Sequence, residues 1–282
     1  MSSFGFVLHE KLEADDVAKP IDWLLDRGHQ VSLPEPDAAT AGRADLGADP
    51  EDFAVGLDVL VAMGGDGTVL RAADFAVGEQ IPVLGVNRGN LGYLTAVDSD
   101  GISMSLKRFL SGAYRIEERM RLDVVVQRRD GITERTSCLN EVVVEKSAPG
   151  HTVRLEVDLD GTHFTSWIAD GLILGTPTGS TAYSFSVGGP IVDPVHRAVI
   201  MAPVAPHMLF DRTMVLRPDC EIRVVVSGTR DGGLSLDGRQ RDPLHPGESV
   251  LCTAAERPSL FVTFGDRDFH TVLRDKLGLW NP

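Results

Sequence analysis

An aspartate stands among three glycines where an apolar run ends, in the stretch Val59-Leu-Val-Ala-Met-Gly-Gly-Asp-Gly-Thr-Val-Leu70. The apolar run is typical of a buried strand, and the residues from Thr68 onward favour a helix. A strand, a glycine turn and a helix N-terminus together present free backbone N–H groups and a positive dipole end to an anion such as phosphate. The stretch therefore predicts an anion site that contains one carboxylate, Asp66.

The carboxylate distinguishes this turn from the familiar phosphate-binding loops. The turn lacks the Gly-Lys-Ser/Thr ending of the P-loop and the Gly-x-Gly-x-x-Gly spacing of dinucleotide-binding turns. A carboxylate beside a phosphate is unfavourable unless it accepts a proton or hydrogen bond from a hydroxyl, or holds Mg²⁺ against phosphate oxygens. Both roles belong to phosphoryl transfer. Alternatively, Asp66 only closes an Asx turn or caps the helix.

A second glycine-rich segment is Asp170-Gly-Leu-Ile-Leu-Gly-Thr-Pro-Thr-Gly-Ser-Thr-Ala-Tyr-Ser-Phe-Ser-Val-Gly-Gly-Pro190. It offers hydroxyl groups and backbone amides at close range, together with the ring of Tyr183. That composition suits a nucleotide, with Tyr183 as a stacking surface for a base. The alternative is a solvated linker, which apolar residues on both sides of the segment disfavour.

Composition and charge exclude several classes of protein. The chain has 282 residues, of which 41 are acidic and 27 are Lys or Arg, giving a net charge of −14. Nucleic-acid binding is disfavoured because clustered cations are missing. We expect no membrane association, since no apolar run reaches the roughly 18 residues of a membrane span. The N-terminus lacks the features of a secretory signal, so the expected location is the cytoplasm. The acidic surface suggests adaptation to high salt, or simply an acidic cytosolic enzyme.

The three cysteines, Cys138, Cys220 and Cys252, are far apart and odd in number. Their spacing fits neither a disulfide framework nor a zinc site, so we expect free, buried thiols. No cluster of histidine, cysteine and carboxylate has metal-ligand spacing, and no residue is assigned to a metal. Any metal is expected to arrive with a phosphorylated substrate.

The first part of the chain predicts an α/β domain with a parallel sheet. Apolar runs at residues 4–8, 57–63 and 81–86 alternate with helical patterns, which is typical of strands with crossover helices. The first helix is expected around Val17 and Leu24, ending near Gly28. Residues 34–53 have little periodicity and are interpreted as a long surface loop with a short turn of helix.

From residue 121 onward the pattern has a period of two, which predicts a mainly antiparallel β-sandwich. A strand, a turn and a strand are expected over 121–145, and a hairpin at Asp160-Gly161. Further strands are expected at 214–226, 234–237 and 260–264. A closing helix is expected to pack back on the first domain. The predicted domains are therefore 1–112 together with 266–282, and a β-rich domain at 113–265.

Gly64-Gly-Asp-Gly-Thr68, and Thr176-Pro-Thr-Gly-Ser-Thr-Ala-Tyr183 with Gly188-Gly-Pro190, resemble motifs of the NAD kinase family. The first motif is shared with lipid kinases and phosphofructokinases, whereas the second is specific to the family. Further segments match in the expected order between about residues 57 and 240, namely 84–94, Asn140-Glu141, 203–207, Asp211-Arg212 and 236–238.

The resemblance implies transfer of the terminal phosphoryl group of ATP, or of polyphosphate, to the 2′-hydroxyl of the adenosine ribose of NAD, which gives NADP. It also implies Mg²⁺ or another divalent cation accompanying ATP, and assembly into homodimers or homotetramers. Two alternatives remain open at this point. The chain could be a lipid or sugar kinase that shares the Gly-Gly-Asp-Gly-Thr turn, or a non-catalytic sensor that binds a dinucleotide.

The resemblance also assigns roles around the first motif. Asp66 would hold or deprotonate the acceptor hydroxyl. The backbone of Gly64, Gly65 and Gly67, together with Thr68, would face the phosphates. Alignment of the hydroxyl is expected to contribute more than proton abstraction, because a carboxylate is a weak base for an alcohol.

The NAD contacts are assigned to the second half of the chain. Asn140 and Glu141 would contact NAD, with the carboxylate on ribose hydroxyls, although Glu141 could instead be an outward strand residue. Asp170 would bind a ribose or an amide, or merely cap a turn. The roles of His207 and of Asp237, which equally suits a hairpin turn, stay open. The remaining nucleotide-binding assignments are Thr181 and Tyr183 at the adenine, and Thr178, Ser180, Ala182 and Ser184 beside them.

Overall fold

The computed structural model describes residues 1–89 and 92–279. Part of the 84–94 segment and the end of the expected 266–282 helix therefore lie outside the described residues. The chain divides into two compact units, Met1–Glu118 with Ser259–Pro282, and Arg119–Pro258. The sequence predicts domain boundaries after residues 112 and 265. The boundaries in the structure, after residues 118 and 258, lie six and seven residues away from them.

The helices and strands are as follows in chain order. The helices are α1 Ala14–Leu25, α2 Glu35–Thr40, α3 Asp66–Glu79, α4 Ile102–Leu110, α5 Tyr183–Ser186 and α6 Phe269–Leu277. The strands are β1 Ser3–Leu8, β2 Gln30–Pro34, β3 Gly47–Ala48, β4 Val59–Gly64, β5 Val83–Asn87, β6 Val97–Asp98, β7 Arg115–Arg119, β8 Leu122–Gln127, β9 Thr133–Cys138, β10 Glu141–Lys146, β11 Val153–Leu159, β12 Thr162–Ala169, β13 Gly171–Gly175, β14 Val199–Val204, β15 Met214–Leu216, β16 Ile222–Ser227, β17 Gly232–Leu236, β18 Arg239–Leu244, β19 Ser249–Ala254 and β20 Ser259–Thr263. Short 3₁₀ helices lie at Ala44–Leu46, Ser99–Gly101 and Thr178–Thr181. None of the helices in the described part of the chain combines the length and apolar character needed to cross a membrane.

The first unit is built on an eight-stranded sheet in the order β3-β2-β1-β4-β5-β20-β7, with β6 also paired to β5. The pairs β1-β2, β1-β4, β2-β3, β4-β5, β5-β6 and β5-β20 are parallel, which confirms the predicted α/β class. Helix α1 buries Val17, Ile21 and Leu24, as its periodicity predicts. Because β4 and β5 are in parallel register, their last residues, Gly64 and Asn87, lie side by side at one edge.

Two sequence-based expectations for this unit are wrong. Residues 34–53 are not one long loop, because they contain α2, a 3₁₀ turn and β3. Helix α2 has Pro36 in its first turn, where proline is tolerated, and its one buried apolar residue, the small Ala38, leaves no visible period. The run at 260–264 is not an antiparallel strand of the second half. It forms β20, which pairs parallel with β5 in the first unit.

The second unit is a sandwich of two six-stranded antiparallel sheets, as predicted. One sheet has the order β15-β14-β13-β10-β17-β18 and the other β12-β11-β16-β19-β8-β9. Alternate residues of both sheets, such as Val142 and Val144 from β10 and Leu155 and Val157 from β11, form one shared hydrophobic core. All three cysteines are free and buried, which confirms the expectation from their spacing.

The hairpin prediction at Asp160-Gly161 is confirmed, and the strand count is corrected. Leu159 pairs with Thr162 across Asp160 and Gly161, which both have positive φ, at 50° and 74°. Residues 121–145 hold three strands rather than two. Residues 214–226 hold two strands, β15 and β16, that belong to different sheets. Period-two patterns mark strands well, but they do not show where a chain leaves one sheet for the other.

Candidate active site

The Gly64–Thr68 turn joins β4 to α3 in the first unit. Helix α3 begins at Asp66, with Gly65 as an N-cap residue that provides no side-chain cap. The backbone N–H of Thr68 donates to the carbonyl oxygen of Gly65 at 3.0 Å. Asp66 therefore lies in the first turn of a 14-residue helix, where the helix dipole favours a negative charge.

The three glycines of the turn serve different purposes. A Cβ on Gly64 would overlap with the side chain of Thr68, so close packing requires glycine there. A Cβ on Gly65 or Gly67 would meet nothing within 4 Å. None of the three has a left-handed φ, so the backbone conformation of the turn does not require glycine. Neither packing nor backbone conformation explains glycine at positions 65 and 67, and open space lies in front of both.

The Asp66 carboxylate is fixed by a second chain segment. Its Oδ2 accepts the backbone N–H of Tyr93 and its Oδ1 that of Leu94, both at 2.9 Å. A Cβ on Gly92 would overlap with Oδ1, so glycine is needed for this approach. The two carboxylate oxygens thus bind the backbone of residues 93 and 94, far along the chain from the helix that carries Asp66. Each oxygen still has lone-pair capacity for a further donor, such as a hydroxyl.

Helix α3 is also anchored one turn further along, through Arg71. Its guanidinium donates to the carbonyl oxygen of Leu8 at 2.7 Å and to Asp37 Oδ2 at 2.5 Å. Asp37 Oδ2 also accepts the N–H of Leu8 at 2.7 Å. Burial raises the pKa of Asp37, while the Leu8 N–H and Arg71 act in the opposite direction. These contacts tie α3 to the end of β1 and to α2.

The turn that carries Asn140 and Glu141 is held from two sides in the second unit. The carboxylate of Asp237 accepts the backbone N–H groups of Leu139, Asn140 and Glu141 at 2.8, 2.6 and 3.1 Å. On the other side, the Thr176 hydroxyl donates to the carbonyl oxygen of Leu139 at 2.5 Å. The Thr176 N–H donates to the carbonyl oxygen of Asn140 at 2.8 Å.

Glu141 is a buried carboxyl group rather than an outward strand residue. Its exposed fraction is 5 %, and its Oε2 has no hydrogen-bond partner. Burial, followed by the negative charge of Asp237, raises the pKa of Glu141 to about 7, and a hydrogen bond from the Tyr183 N–H opposes that rise. A buried oxygen without a partner is costly, so this group is prepared for a ligand that can hydrogen-bond to it.

The segment around Thr178–Thr181 and α5 is packed and ordered, which contradicts the linker alternative. Ser180 is fully buried, and its hydroxyl donates to the carbonyl oxygen of Val192 and accepts its N–H, both at 3.1 Å. The hydroxyls of Thr178 and Ser184 are buried without partners. The Thr181 hydroxyl donates to the Thr178 carbonyl oxygen at 3.4 Å, and Ala182 is half-buried.

Asp170 and Tyr183 share one charged neighbourhood. Asp170 forms an ion pair with Lys146, with 2.7 Å between Oδ2 and Nζ, so its side chain does more than cap a turn. Tyr183 keeps an exposed fraction of 36 %, enough for a face of its ring to be available. Burial raises the pKa of Tyr183, and the charges of Glu145 and Asp170 raise it further, while Lys146 lowers it.

The expected site residues thus fall into two groups, one in each unit. Asp66, Gly64, Gly65, Gly67 and Thr68 lie together in the first unit. Asn140, Glu141 and the 178–184 segment lie together in the second, with Asp170 beside Tyr183.

Sequence reasoning missed the positioning roles of Arg71 and Thr176, and it left the roles of Asp237 and His207 open. Arg71, Thr176 and Asp237 act on partners far away in the chain. The adjacent Asp-Gly pair indicates a hairpin turn, but it does not indicate which residues the Asp237 carboxylate binds. The backbone N–H of His207 donates to the carbonyl oxygen of Ile168, while Asp211 pairs with Arg212 rather than supplying a partner for His207.

Replacing Gly179 by alanine is expected to lower stability by about 1–3 kcal/mol and to displace the turn that carries Asn140 and Glu141. The new Cβ would overlap with the backbone carbonyl of Asn140, which cannot move without disturbing Glu141. Gly175→Ala is a matched control, because its Cβ would lie 3.6 Å from the same carbonyl oxygen, an ordinary contact. Urea unfolding of both variants tests this. Equal effects of the two substitutions would contradict it.

Two family models match the chain over most of its length. A model described as the ATP-NAD kinase N-terminal domain matches residues 12–114, and one described as the ATP-NAD kinase C-terminal domain matches residues 139–264. Curated relatives include the NAD kinase of Symbiobacterium thermophilum, which is 40% identical over 282 residues that cover 98% of this chain and 99% of the relative. The NAD kinase of Moorella thermoacetica is 39% identical over 258 residues, which cover 91% of this chain and 82% of the relative.

Two solved structures resemble the chain. The NAD kinase from Archaeoglobus fulgidus in complex with ATP has a TM-score of 0.75 at 26% identity and covers 96% of this chain and 98% of its own. The yeast NADH kinase complexed with NADH has a TM-score of 0.92 at 24% identity and covers 100% of this chain and 89% of its own. At that identity, the yeast structure supports the fold alone.

Proposed function

The chain belongs to the NAD kinase family, and from that premise we propose that it transfers the terminal phosphoryl group of ATP to the 2′-hydroxyl of the adenosine ribose of NAD. The products are NADP and ADP. The observation that carries this proposal is the arrangement at Asp66. A carboxylate fixed by two backbone N–H groups lies in the first turn of a helix, beside two glycines with open space in front of them.

The parts of this turn suit different parts of the reaction. The N–H groups at the start of α3, with Gly65 and Gly67, would take phosphate oxygens, because a helix N-terminus favours anions. Asp66 would accept the hydrogen bond of the attacking hydroxyl and hold that hydroxyl in line with phosphorus. Positioning and charge stabilisation provide most of the rate gain in phosphoryl transfer. Mg²⁺, or another divalent cation, would enter as the complex with ATP and neutralise charge on the phosphates.

The dinucleotide contacts are proposed for the second unit. Glu141 would accept hydrogen bonds from ribose hydroxyls through its unpartnered Oε2, and Asn140 would contact the same nucleotide. Thr181, Ala182 and the exposed face of Tyr183 would meet the base. The remaining roles proposed are Asp170 at a ribose or amide, Thr178 and Ser184 as nearby hydroxyl groups, and Ser180 holding the segment through Val192.

We also propose a cytoplasmic homodimer or homotetramer. Phe164, Ile168, Met208 and Leu209 are large apolar side chains that stay exposed in the second unit. The ring of Phe164 contacts that of Phe210, the neighbour of Leu209. The carbonyl oxygen of Ile168 accepts the N–H of His207, the neighbour of Met208, so the four apolar residues lie close together. Exposed apolar patches of this kind often mark protein interfaces. Light scattering at low and high salt would give the oligomeric state.

The acidic surface leads to a prediction about salt. At a net charge of −14, self-repulsion opposes the compact state, and salt screens it within about 10 Å at 0.1 M and 3 Å at 1 M. We therefore expect the thermal unfolding midpoint to rise between 0.1 M and 2 M KCl. A midpoint that stays constant or falls would count against adaptation to high salt.

The function is tested by incubating the protein with ATP, Mg²⁺ and NAD and measuring NADP. Parallel reactions replace ATP with polyphosphate, NAD with NADH, and the acceptor with a sugar or diacylglycerol. NADP formation supports the proposal. NAD binding without turnover would instead indicate a sensor, and phosphorylation of only the lipid or the sugar would indicate the other kinase classes.

A further inference from the structure

Asp237 lies in a hairpin turn yet acts on a segment almost a hundred residues earlier in the chain. Asp237 and Gly238 have φ of 48° and 74°, and they join β17 to β18 as a two-residue turn. The carboxylate accepts three N–H groups from Leu139–Glu141, and the Asp237 N–H donates to the Glu141 carbonyl oxygen at 3.0 Å. A carboxylate with three N–H donors is well satisfied as an anion. A fixed negative charge therefore lies next to Glu141.

The surroundings of Glu141 favour its protonated form. Asp237, from the β17-β18 turn, is the charged group that acts on it most strongly, and α5 contributes only the Tyr183 N–H. From β9, the thiol of Cys138 also faces both carboxyl groups, but burial raises its pKa well above the ordinary value, so it stays neutral. Arg121 acts on that thiol. No Lys or Arg is among the groups that shift the pKa of Glu141.

A ribose would reverse that preference. Its two neighbouring hydroxyls can each donate a hydrogen bond to an ionised carboxylate, and acidic side chains hold ribose in this way in dinucleotide-binding folds. One of these donors would fill the vacant position at Oε2. The carboxylate would then accept the Tyr183 N–H and two hydroxyls, which stabilises the charged form.

Building on the function proposed above, we propose that Asp237 and Glu141 couple NAD binding to proton release. Asp237 positions the Leu139–Glu141 turn, and its charge keeps a proton on the buried Glu141 in the free protein. When the ribose diol arrives, the O–H bond of Glu141 breaks, the proton passes to solvent, and the carboxylate accepts the two hydroxyls. The pair thereby makes affinity for the diol depend on pH near neutrality.

Calorimetric titration of the full chain with NAD, without ATP, measures the released protons directly. Titrations in two buffers of different ionisation enthalpy at each pH give the number of protons. With a pKa of about 7 for Glu141, we expect about 0.9 protons released per NAD at pH 6 and about 0.1 at pH 8. The affinity for NAD should be about tenfold weaker at pH 6 than at pH 8.

Variants assign the proton to this pair. Glu141→Gln should abolish both the release and the pH dependence of binding. Asp237→Asn removes the neighbouring charge, so release at pH 6 should decrease as Glu141 ionises at lower pH. Asp160→Asn is the matched control, since Asp160 has the same turn position and φ, but its carboxylate binds Arg217 and the Glu221 N–H. It should behave like the unmodified protein.

NAD binding without proton release at pH 6 would overturn the inference and leave the proposed function standing. Release that persists in Glu141→Gln would do the same. If NAD does not bind at all, the proposed function fails and this inference fails with it. Should Asp237→Asn not fold, the comparison of Glu141→Gln with the unmodified protein still decides the outcome.

Discussion

Replacing Asp66 by asparagine is expected to lower kcat for NADP formation by at least about 10²-fold. KM for NAD should change by less than about threefold, since removing a transition-state interaction lowers kcat more than it raises KM. The reason lies in the acceptor capacity of the side chain. Asp66 already receives the N–H groups of Tyr93 and Leu94, and only a carboxylate can receive both and still accept a hydroxyl proton.

Asparagine also carries a structural cost at this position. Its amide nitrogen would face one of the two N–H groups, leaving a donor without an acceptor at a cost of about 1–3 kcal/mol. Asp98→Asn is the control, because Asp98 is a carboxylate of the same unit that accepts from the side chains of Asn87 and Arg267 instead of from the backbone of residues 93 and 94. Steady-state kinetics and urea unfolding of both variants separate chemistry from folding. Retained turnover in Asp66→Asn would show that the carboxylate is not required.

Replacing Glu141 by glutamine is expected to stabilise the protein above neutral pH while weakening NAD binding at least about tenfold at pH 8. The pKa of Glu141 is raised from 4.5 in the unfolded reference to about 7. The contribution of Glu141 to the free energy of unfolding is therefore fully present below about pH 4.5, and it is lost as the pH rises through 7. At pH 8, the ionised Glu141 lowers the free energy of unfolding by on the order of 3 kcal/mol, and glutamine removes this cost.

The pH dependence of this gain identifies its origin. At pH 5 the same substitution should change the free energy of unfolding by less than about 1 kcal/mol, because Glu141 is then protonated in the folded state. Urea unfolding at pH 5 and pH 8 gives the comparison. An equal effect at the two pH values, or destabilisation at pH 8, would contradict a buried carboxyl group that ionises near neutrality.

Features set by neighbouring residues could be predicted from the sequence. The periodicity of α1 and the Asp160-Gly161 hairpin follow from local patterns, and both are confirmed. The position of Asp66 at the start of a helix after a strand is equally local. A resemblance carried by short motifs then identified the family, because those motifs combine uncommon residue types at fixed spacing.

Features set by distant partners could not be predicted in this way. The Asp-Gly pair at Asp237 predicts a hairpin, but no neighbouring residue indicates that the Asp237 carboxylate binds the backbone of residues 139–141. The hydroxyl of Thr176 likewise reaches Leu139. The five residues of β20 look like any other short strand, and only the fold determines that they pair parallel with β5. The raised pKa of Glu141 is also non-local, because it results from burial and from the charge of Asp237, and the Tyr183 N–H opposes it.

The central claim is that Asp66 delivers one particular hydroxyl of NAD to the terminal phosphorus of ATP. The most direct measurement incubates the protein with NAD and ATP labelled in the γ-phosphate, and then locates the label on the dinucleotide by ³¹P NMR. We expect a single phosphomonoester on the 2′-oxygen of the adenosine ribose, formed by the unmodified protein and at least about 10²-fold more slowly by Asp66→Asn. Label found on another hydroxyl, or released only as inorganic phosphate, would contradict it.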